Sequence, residues 1–239
     1  MKGLADITVA VTGAAGGIGS AICRRLLEEE GAKVYALDRR PGEVGTFVPV
    51  DVTDPASVAA AAQAVVAAAG QVDGLVAAAG IVEDDIAAED MTPEQFDATL
   101  SVNLRGMFLT CQAFGRHMLS QGGGSIVMIS SMSGNHVVNV PQDQCAYNAS
   151  KAGVSALTRS LAAEWGGRGV RVNAIAPGYV DTPLLALKAH QFAQWKASTP
   201  LGRFAEPAEI AATTAFLLSD DARFFCGSEL LVDGGYSLR

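Results

Sequence analysis

The stretch Ile7-Thr8-Val9-Ala10-Val11-Thr12-Gly13-Ala14-Ala15-Gly16-Gly17-Ile18-Gly19 decides the fold. Ile7 to Thr12 reads as a short buried strand, the glycines as a tight turn, and Ile22, Leu26 and Leu27 as the apolar stripe of the helix that follows. Glycines let a backbone come close to a pyrophosphate, and a helix start presents unpaired N–H groups and a positive dipole end to an anion. A turn made tight for packing alone would use the same residues. The next strand, Lys33 to Leu37, ends at Asp38, about twenty residues beyond the glycines. A carboxylate there accepts from both ribose hydroxyls and repels a 2′-phosphate, which favours NAD over NADP. Arg39 and Arg40 partly offset that repulsion.

The same alternation continues along the chain. Between Asp38 and Asp51 there is no room for a full helix: Pro41-Gly42 breaks it and Phe47 to Val50 already reads as the third strand. Asp54 and Pro55 then start an Ala-rich helix that runs to about Ala69. Val72 to Ala78 is the fourth strand. Pro93 to about Ser120 reads as one long helix, in which Asn103 is an awkward interior residue unless it faces solvent. Ser125 to Ser130 is the fifth strand, with Ser131 just past its carboxyl end. A helix from about Cys145 to Gly166 leads to the sixth strand, Val170 to Ala176, and Pro177-Gly178. Thr182 to Phe204 is apolar and irregular and predicts a mobile lid of two short helices. A helix from about Pro207 and a strand, Glu229 to Val232, complete the pattern. This order predicts an α/β fold, a single Rossmann-type doubly wound parallel sheet with helices on both faces, as one domain over 1–239 with a lid at about 182–204.

Composition narrows the partners. The 25 acidic residues against 17 basic ones leave a net charge of −8, which repels phosphate backbones and anionic membrane surfaces, so neither nucleic acid nor membrane is expected as a partner. No apolar run reaches membrane-spanning length, and the amino end meets Asp6 and then the Gly-rich loop, unlike a secretory leader. Cytoplasmic localisation is the expectation. Cys23, Cys111, Cys145 and Cys226 are scattered without paired spacing, so reduced thiols and no metal site are expected.

The chemistry centres on Tyr147-Asn148-Ala149-Ser150-Lys151, where a phenol and an ammonium four residues apart share one helix face. A nearby cation favours the phenolate and would make Tyr147 a base near neutral pH. Two residues of these types also meet by accident on half-exposed helices, so the surroundings decide.

Taken together, Thr12-Gly13-x-x-x-Gly17-x-Gly19, Asp38, Asp51, Asn103, Ser131, Tyr147-x-x-x-Lys151 and Pro177-Gly178-x-Val180-x-Thr182 resemble the short-chain dehydrogenase/reductase family over essentially the whole chain. The resemblance implies a catalytic set of Asn103, Ser131, Tyr147 and Lys151. Tyr147 would exchange the hydroxyl proton as hydride passes to or from the nicotinamide. Lys151 would lower the Tyr147 pKa and bind the nicotinamide ribose, Ser131 would steady the reacting oxygen, and Asn103 would hold a water linking Lys151 to solvent. The resemblance also implies a cofactor site. Thr12, Gly13, Gly17, Ile18 and Gly19 would line the pyrophosphate, Asp38 the ribose, and Asp51 and Val52 the adenine. Ala78 and Gly80 would lie beside the cofactor, and Pro177, Gly178, Val180 and Thr182 would hold the nicotinamide. A homotetramer is implied as well.

Three departures stand out. Ala77-Ala78-Ala79-Gly80 replaces the family's usual Asn-Asn-Ala-Gly and so lacks polar groups that tie strands together, the helix after Asp38 is missing, and the segment from Ser131 to Tyr147 is long. That segment resembles the subgroup acting on polyols and ketoses, with Ser133, Asn139 and Gln144, beside Ser131 and Tyr147, as donors and acceptors for a polyhydroxylated substrate. A polar surface loop would also carry such residues. His136 reads as a further acid/base group or an idle loop histidine, Cys145 as packing, and Phe192 and Trp195 as closing over substrate or holding the lid down. The leading expectation is an NAD-dependent dehydrogenase interconverting a secondary alcohol, a polyol or sugar alcohol, and its ketone. A 3-oxoacyl thioester reductase, a cyclic diol dehydrogenase and an inactive nucleotide-binding module stay open beside it.

Overall fold

The computed structural model describes residues 1–83, 85–138, 141–186 and 188–239. Seven parallel strands form its sheet in the order β3-β2-β1-β4-β5-β6-β7, with β1 Thr8–Thr12, β2 Lys33–Asp38, β3 Thr46–Pro49, β4 Gly74–Ala77, β5 Gly124–Ile129, β6 Val170–Pro177 and β7 Glu229–Val232. The order reverses between β1 and β4, which opens a crevice at the carboxyl ends of the central strands, where ligands bind in open α/β sheets.

Side chains alternate across this sheet. In β1, Ala10 joins one core, while Val9 and Val11 join the other. The first core is completed by Val58 and Val65 of α2 (Pro55–Ala69), Phe114 and Met118 of α4 (Met107–Gln121) and Val154 of α6 (Cys145–Trp165). The second is completed by Ile22 and Cys23 of α1 (Gly17–Arg24) and Ile210 and Ala215 of α9 (Pro207–Leu218). Burying each large apolar side chain is worth about 1.5–3 kcal/mol, so both layers are fixed by hydrophobic burial. Among the described residues no helix is long and apolar enough to cross a membrane.

Local signals behave as their chemistry requires. Asp54 accepts from the Ala56 N–H and Pro55 occupies the first turn of α2, while Thr92 and Gln95 form a capping box on α3 (Pro93–Leu100). No helix fits between β2 and β3. The expected single helix from Pro93 to about Ser120 is corrected: a π-helical turn, Ser101–Gly106, separates α3 from α4. The expectation of an exposed Asn103 is corrected too, since its relative exposure is 0%. Its Oδ1 accepts from the Ile81 N–H and its Nδ2 donates to the Ile81 carbonyl, both at 2.8 Å. The widened turn lets one amide satisfy both polar groups of a neighbouring backbone.

The segment from Thr182 to Phe204 contains α7 (Pro183–Ala186), a 3-10 turn at Ala189–Gln191 and α8 (Phe192–Ser198). Its two ends are pinned together, with Ala205 N–H donating to the Tyr179 carbonyl and Asp181 N–H to the Ala205 carbonyl, each at 2.9 Å.

Candidate active site

The Gly-rich turn lies at the carboxyl end of β1. A Cβ on Gly19 would stand 2.1 Å from the Gly13 carbonyl oxygen, so only glycine lets α1 start this close to the strand. Gly16, at the N-cap of α1, offers no side-chain cap. The first-turn N–H groups from Gly17 through Gly19 are therefore left for an anion, which fits a dinucleotide pyrophosphate. Thr182, just before α7, approaches this turn so closely that a Cβ on Gly17 would lie 2.8 Å from its Cγ2. Ile18, Ala78, Gly80, Pro177, Gly178, Val180 and Thr182 all line one cavity of about 190 Å³.

Asp38 ends β2 beside that turn. Its Oδ2 accepts from the Ala15 N–H at 3.1 Å and its Oδ1 from the Arg39 N–H at 2.7 Å, so backbone donors orient the carboxylate. Asp51 lies just beyond β3, where hydrogen bonds from the Thr53 hydroxyl and N–H hold its carboxyl below the usual range. Val52 packs against Gly106. The strand tie expected to be lost with Ala77-Ala78 is partly supplied from the other side, because the Thr12 hydroxyl accepts from the Ala78 N–H at 3.3 Å.

The same cavity is lined by Ser131, Tyr147 and Lys151. Ser131 sits past β5 at the cap of the short helix α5 (Met132–Asn135), while Tyr147 and Lys151 stand on α6. Lys151 is 5% exposed and its Nζ donates to the Ile129 carbonyl at 2.9 Å. Burial lowers its pKa from 10.5 to about 8. Its Nζ stands 5.6 Å from the centroid of the Tyr147 ring. The sequence-based expectation that this cation dominates the phenol is corrected. Burial is the largest influence and pushes the Tyr147 phenol up, a hydrogen bond with Ser131 opposes it, and the Glu83 carboxylate adds to the rise. Asn103 reaches this cluster through Ser150, to whose Oγ its Nδ2 donates at 3.2 Å.

The substrate candidates divide. Gln144 is buried and lines the cavity, with its Nε2 donating to the Glu83 carbonyl at 3.4 Å. Ser133 does not line the cavity, and its hydroxyl pairs with that of Ser131 at 2.8 Å. Asn139 lies outside the described residues. His136 is turned toward β7, with its Nε2 3.6 Å from a Glu229 carboxylate oxygen. Cys145 is exposed beside Met91. Among the described residues no cluster of potential metal ligands occurs.

Glu83 is the residue that sequence reasoning missed. Its Oε1 accepts from the Tyr147 N–H at 2.8 Å and its Oε2 from the Thr99 hydroxyl at 3.3 Å. It thereby caps α6 from a loop sixty-odd residues away, which no local spacing reveals. Gln142 is a second cavity residue that no local spacing singles out. Its Oε1 accepts from the Tyr179 hydroxyl at 3.0 Å.

Comparison with known proteins agrees with this geometry. A family profile described as Enoyl-(Acyl carrier protein) reductase matches residues 13–237. A galactitol 2-dehydrogenase (L-tagatose-forming) of Cereibacter sphaeroides is 46% identical over 96% of this chain and 94% of its own. A D-threitol dehydrogenase of Mycolicibacterium smegmatis is 44% identical over 96% and 92%. The crystal structure of gox2181 superposes with a TM-score of 0.94 at 42% identity, covering 98% of this chain and 97% of the other.

Proposed function

The chain belongs to the short-chain dehydrogenase/reductase family, and on that premise we propose that this oxidoreductase interconverts a secondary alcohol of a polyol and its ketone with NAD. The observation that carries the reading is the meeting of Ser131, Tyr147 and Lys151 in one cavity with the residues that fit a dinucleotide.

Bound in that crevice, the nicotinamide supplies the hydride acceptor for oxidation and the donor for reduction. The protein's own groups handle the proton. In oxidation the Tyr147 phenolate takes the carbinol O–H proton, and in reduction the phenol returns it to the forming alkoxide. Ser131 donates to the reacting oxygen as charge develops there, and Ser133 orients Ser131 through their 2.8 Å hydrogen bond. Lys151, buried one helical turn from Tyr147 on α6, would hold the nicotinamide ribose. Asn103 is a positioning residue that holds Ile81 and Ser150 beside Lys151. Asp38 accepts from the adenosine ribose and repels a 2′-phosphate, which selects NAD over NADP.

Polyols rather than acyl thioesters fit the site because Gln142 and Gln144 bring two carboxamides to the cavity wall. We also assign a homotetramer, supported by apolar surface on α4, where Phe108 is 38% exposed. Light scattering checks it, and a monomer refutes it. The test of function is nucleotide reduction followed spectroscopically with galactitol, D-threitol, simple secondary alcohols and 3-oxoacyl thioesters, each with NAD and NADP. Turnover of polyols with NAD is the expected result. Activity confined to acyl thioesters overturns the reading.

A further inference from the structure

Glu229 opens β7 at the edge of the sheet, yet its carboxylate, 12% exposed, joins the two helices on which the catalytic side chains depend. Its Oε1 accepts from the Ser155 hydroxyl of α6 at 2.5 Å, and its Oε2 accepts from the Asn135 Nδ2 of α5 at 3.2 Å. A carboxylate only accepts, so both partners donate, and hydrogen bonds to such an acceptor are the strong ones.

The hold passes inward through serine hydroxyls. Ser155 has one proton and gives it to Glu229, so in the 3.0 Å contact between the Ser155 and Ser130 hydroxyls Ser130 is the donor. The Lys151 carbonyl lies 3.2 Å from each of these hydroxyls, and both serines are buried. The elements joined in this way carry the reacting groups. Ser131 follows Ser130 and caps α5, while Tyr147, Lys151 and Ser155 recur every four residues along one face of α6. A helix of 4 residues such as α5 is too short to hold its own position, so tertiary ties place it. One tie is close packing, since a Cβ on Gly134 would lie 2.8 Å from the Lys151 carbonyl carbon. A second is Asn135, at the far end of the turn. Ser131 is thus held through Ser130 on one side and through α5 on the other, and Glu229 stands at the end of both ties.

We propose that Glu229 is a positioning residue for the reaction: by fastening α5 to α6 it sets the distance at which the Ser131 hydroxyl meets the Tyr147 phenol and the reacting oxygen. Glu229 does not line the cavity and acts only through those two residues. The inference rests on the roles of Ser131 and Tyr147 given above, and not on which alcohol is the substrate.

Glu229→Ala cuts both ties. Glu229→Gln keeps them, because its Oε1 accepts from Ser155 and the Asn135 amide can turn over to accept from its Nε2. Asn135 is exposed, so Asn135→Ala cuts the α5 tie alone without leaving a buried defect. On whichever alcohol of the panel above reacts fastest, kcat should fall about tenfold or more in Glu229→Ala and by less in Asn135→Ala, with KM for the nucleotide unchanged. Glu229→Gln should recover most of the loss. A second readout needs neither nucleotide nor substrate and decides alone if no panel alcohol reacts. The chain has 4 tyrosines, so in protein labelled with ¹³Cζ-tyrosine the resonance missing from Tyr147→Phe identifies Tyr147. Its shift in Glu229→Ala and Asn135→Ala should move toward that in Ser131→Ala, where the phenol has lost its serine partner, and return in Glu229→Gln.

A Tyr147→Phe enzyme that keeps its turnover overturns the mechanism and this inference with it. If that variant is inactive while Glu229→Ala and Asn135→Ala match the unmodified enzyme in kcat and in the Tyr147 resonance, this inference alone fails. It fails too where kcat drops with the resonance unmoved, or with a matching rise in KM for the nucleotide, since Glu229 is then a brace for the fold. If Glu229→Ala does not fold, Asn135→Ala decides by the same two readouts.

Discussion

The Nζ of Lys151 lies 5.6 Å from the centre of the Tyr147 ring while its hydrogen bond goes to the Ile129 carbonyl. The phenol is thus left to burial, which raises its pKa, and alcohol oxidation, which needs the phenolate, should climb with pH through the alkaline range. Ketone reduction, which needs the phenol, should instead fall there. Tyr147→Phe should lose about a thousandfold or more in kcat and keep nucleotide affinity. Initial rates against pH in both directions, with calorimetry on the variant, check this, and a variant retaining most of its turnover refutes the role.

Lys151 is costly to keep. Below about pH 8 the folded chain holds a buried ammonium. Between about 8 and 10.5 the unfolded chain binds a proton that the folded one has released, so the stability contribution of this residue rises with pH. The lowering amounts to about 3 kcal/mol at 1.4 kcal/mol per unit. Lys151→Met should therefore unfold at a higher temperature near neutrality, with a flatter pH dependence, while losing activity. Thermal unfolding of the nucleotide-free protein from pH 6 to 10 decides it.

Glu83 touches the backbone of Tyr147 and adds a raising influence on its phenol. Glu83→Gln keeps an acceptor for the N–H but removes the charge. Its oxidation profile should move to lower pH with little change in stability. Glu83→Ala also loses the cap of α6, at about 1 kcal/mol. An unmoved profile in the Gln variant would show that the charge does not reach the phenol.

Asp38 is oriented by the Ala15 N–H, and a shorter neutral side chain there removes the repulsion of a 2′-phosphate. Asp38→Ala should lower the NAD-to-NADP ratio of kcat/KM by about tenfold or more, mostly through KM for NAD. A ratio unchanged by the substitution would place cofactor choice elsewhere.

Asn103→Ala strands the Ile81 N–H and carbonyl, each now unpaired in a partly buried segment. The expected loss is about 2 kcal/mol, read as a fall in the denaturant midpoint without a change of slope. No measurable loss would mean that solvent replaces the amide.

The fold was legible because its signals are local and repeated. The Gly13–Gly19 turn, strands of the right length, and the Asp54 and Pro55 start of α2 each act within a few residues, and their alternation admits few arrangements other than a parallel sheet. Tyr147 and Lys151 were legible for the same reason, since one helical turn places them on a common face.

What surrounds them was decided only by tertiary structure. Nothing in the sequence near Asn103 announces that a π-helical turn buries it against Ile81, because the partner comes from another segment. Glu83 reaches α6, and Tyr179 fixes Gln142, across distances in sequence that periodicity does not register. Ser133 has the right chemistry for a polyol contact, but its hydroxyl is directed to Ser131. The sequence alone determined the sheet, the Gly-rich turn and the helix that carries the phenol and ammonium, because backbone geometry and burial periodicity act at short range. The folded chain decided proton affinities and which polar groups face the cavity, because desolvation and hydrogen-bond partnership depend on every segment packed around a group.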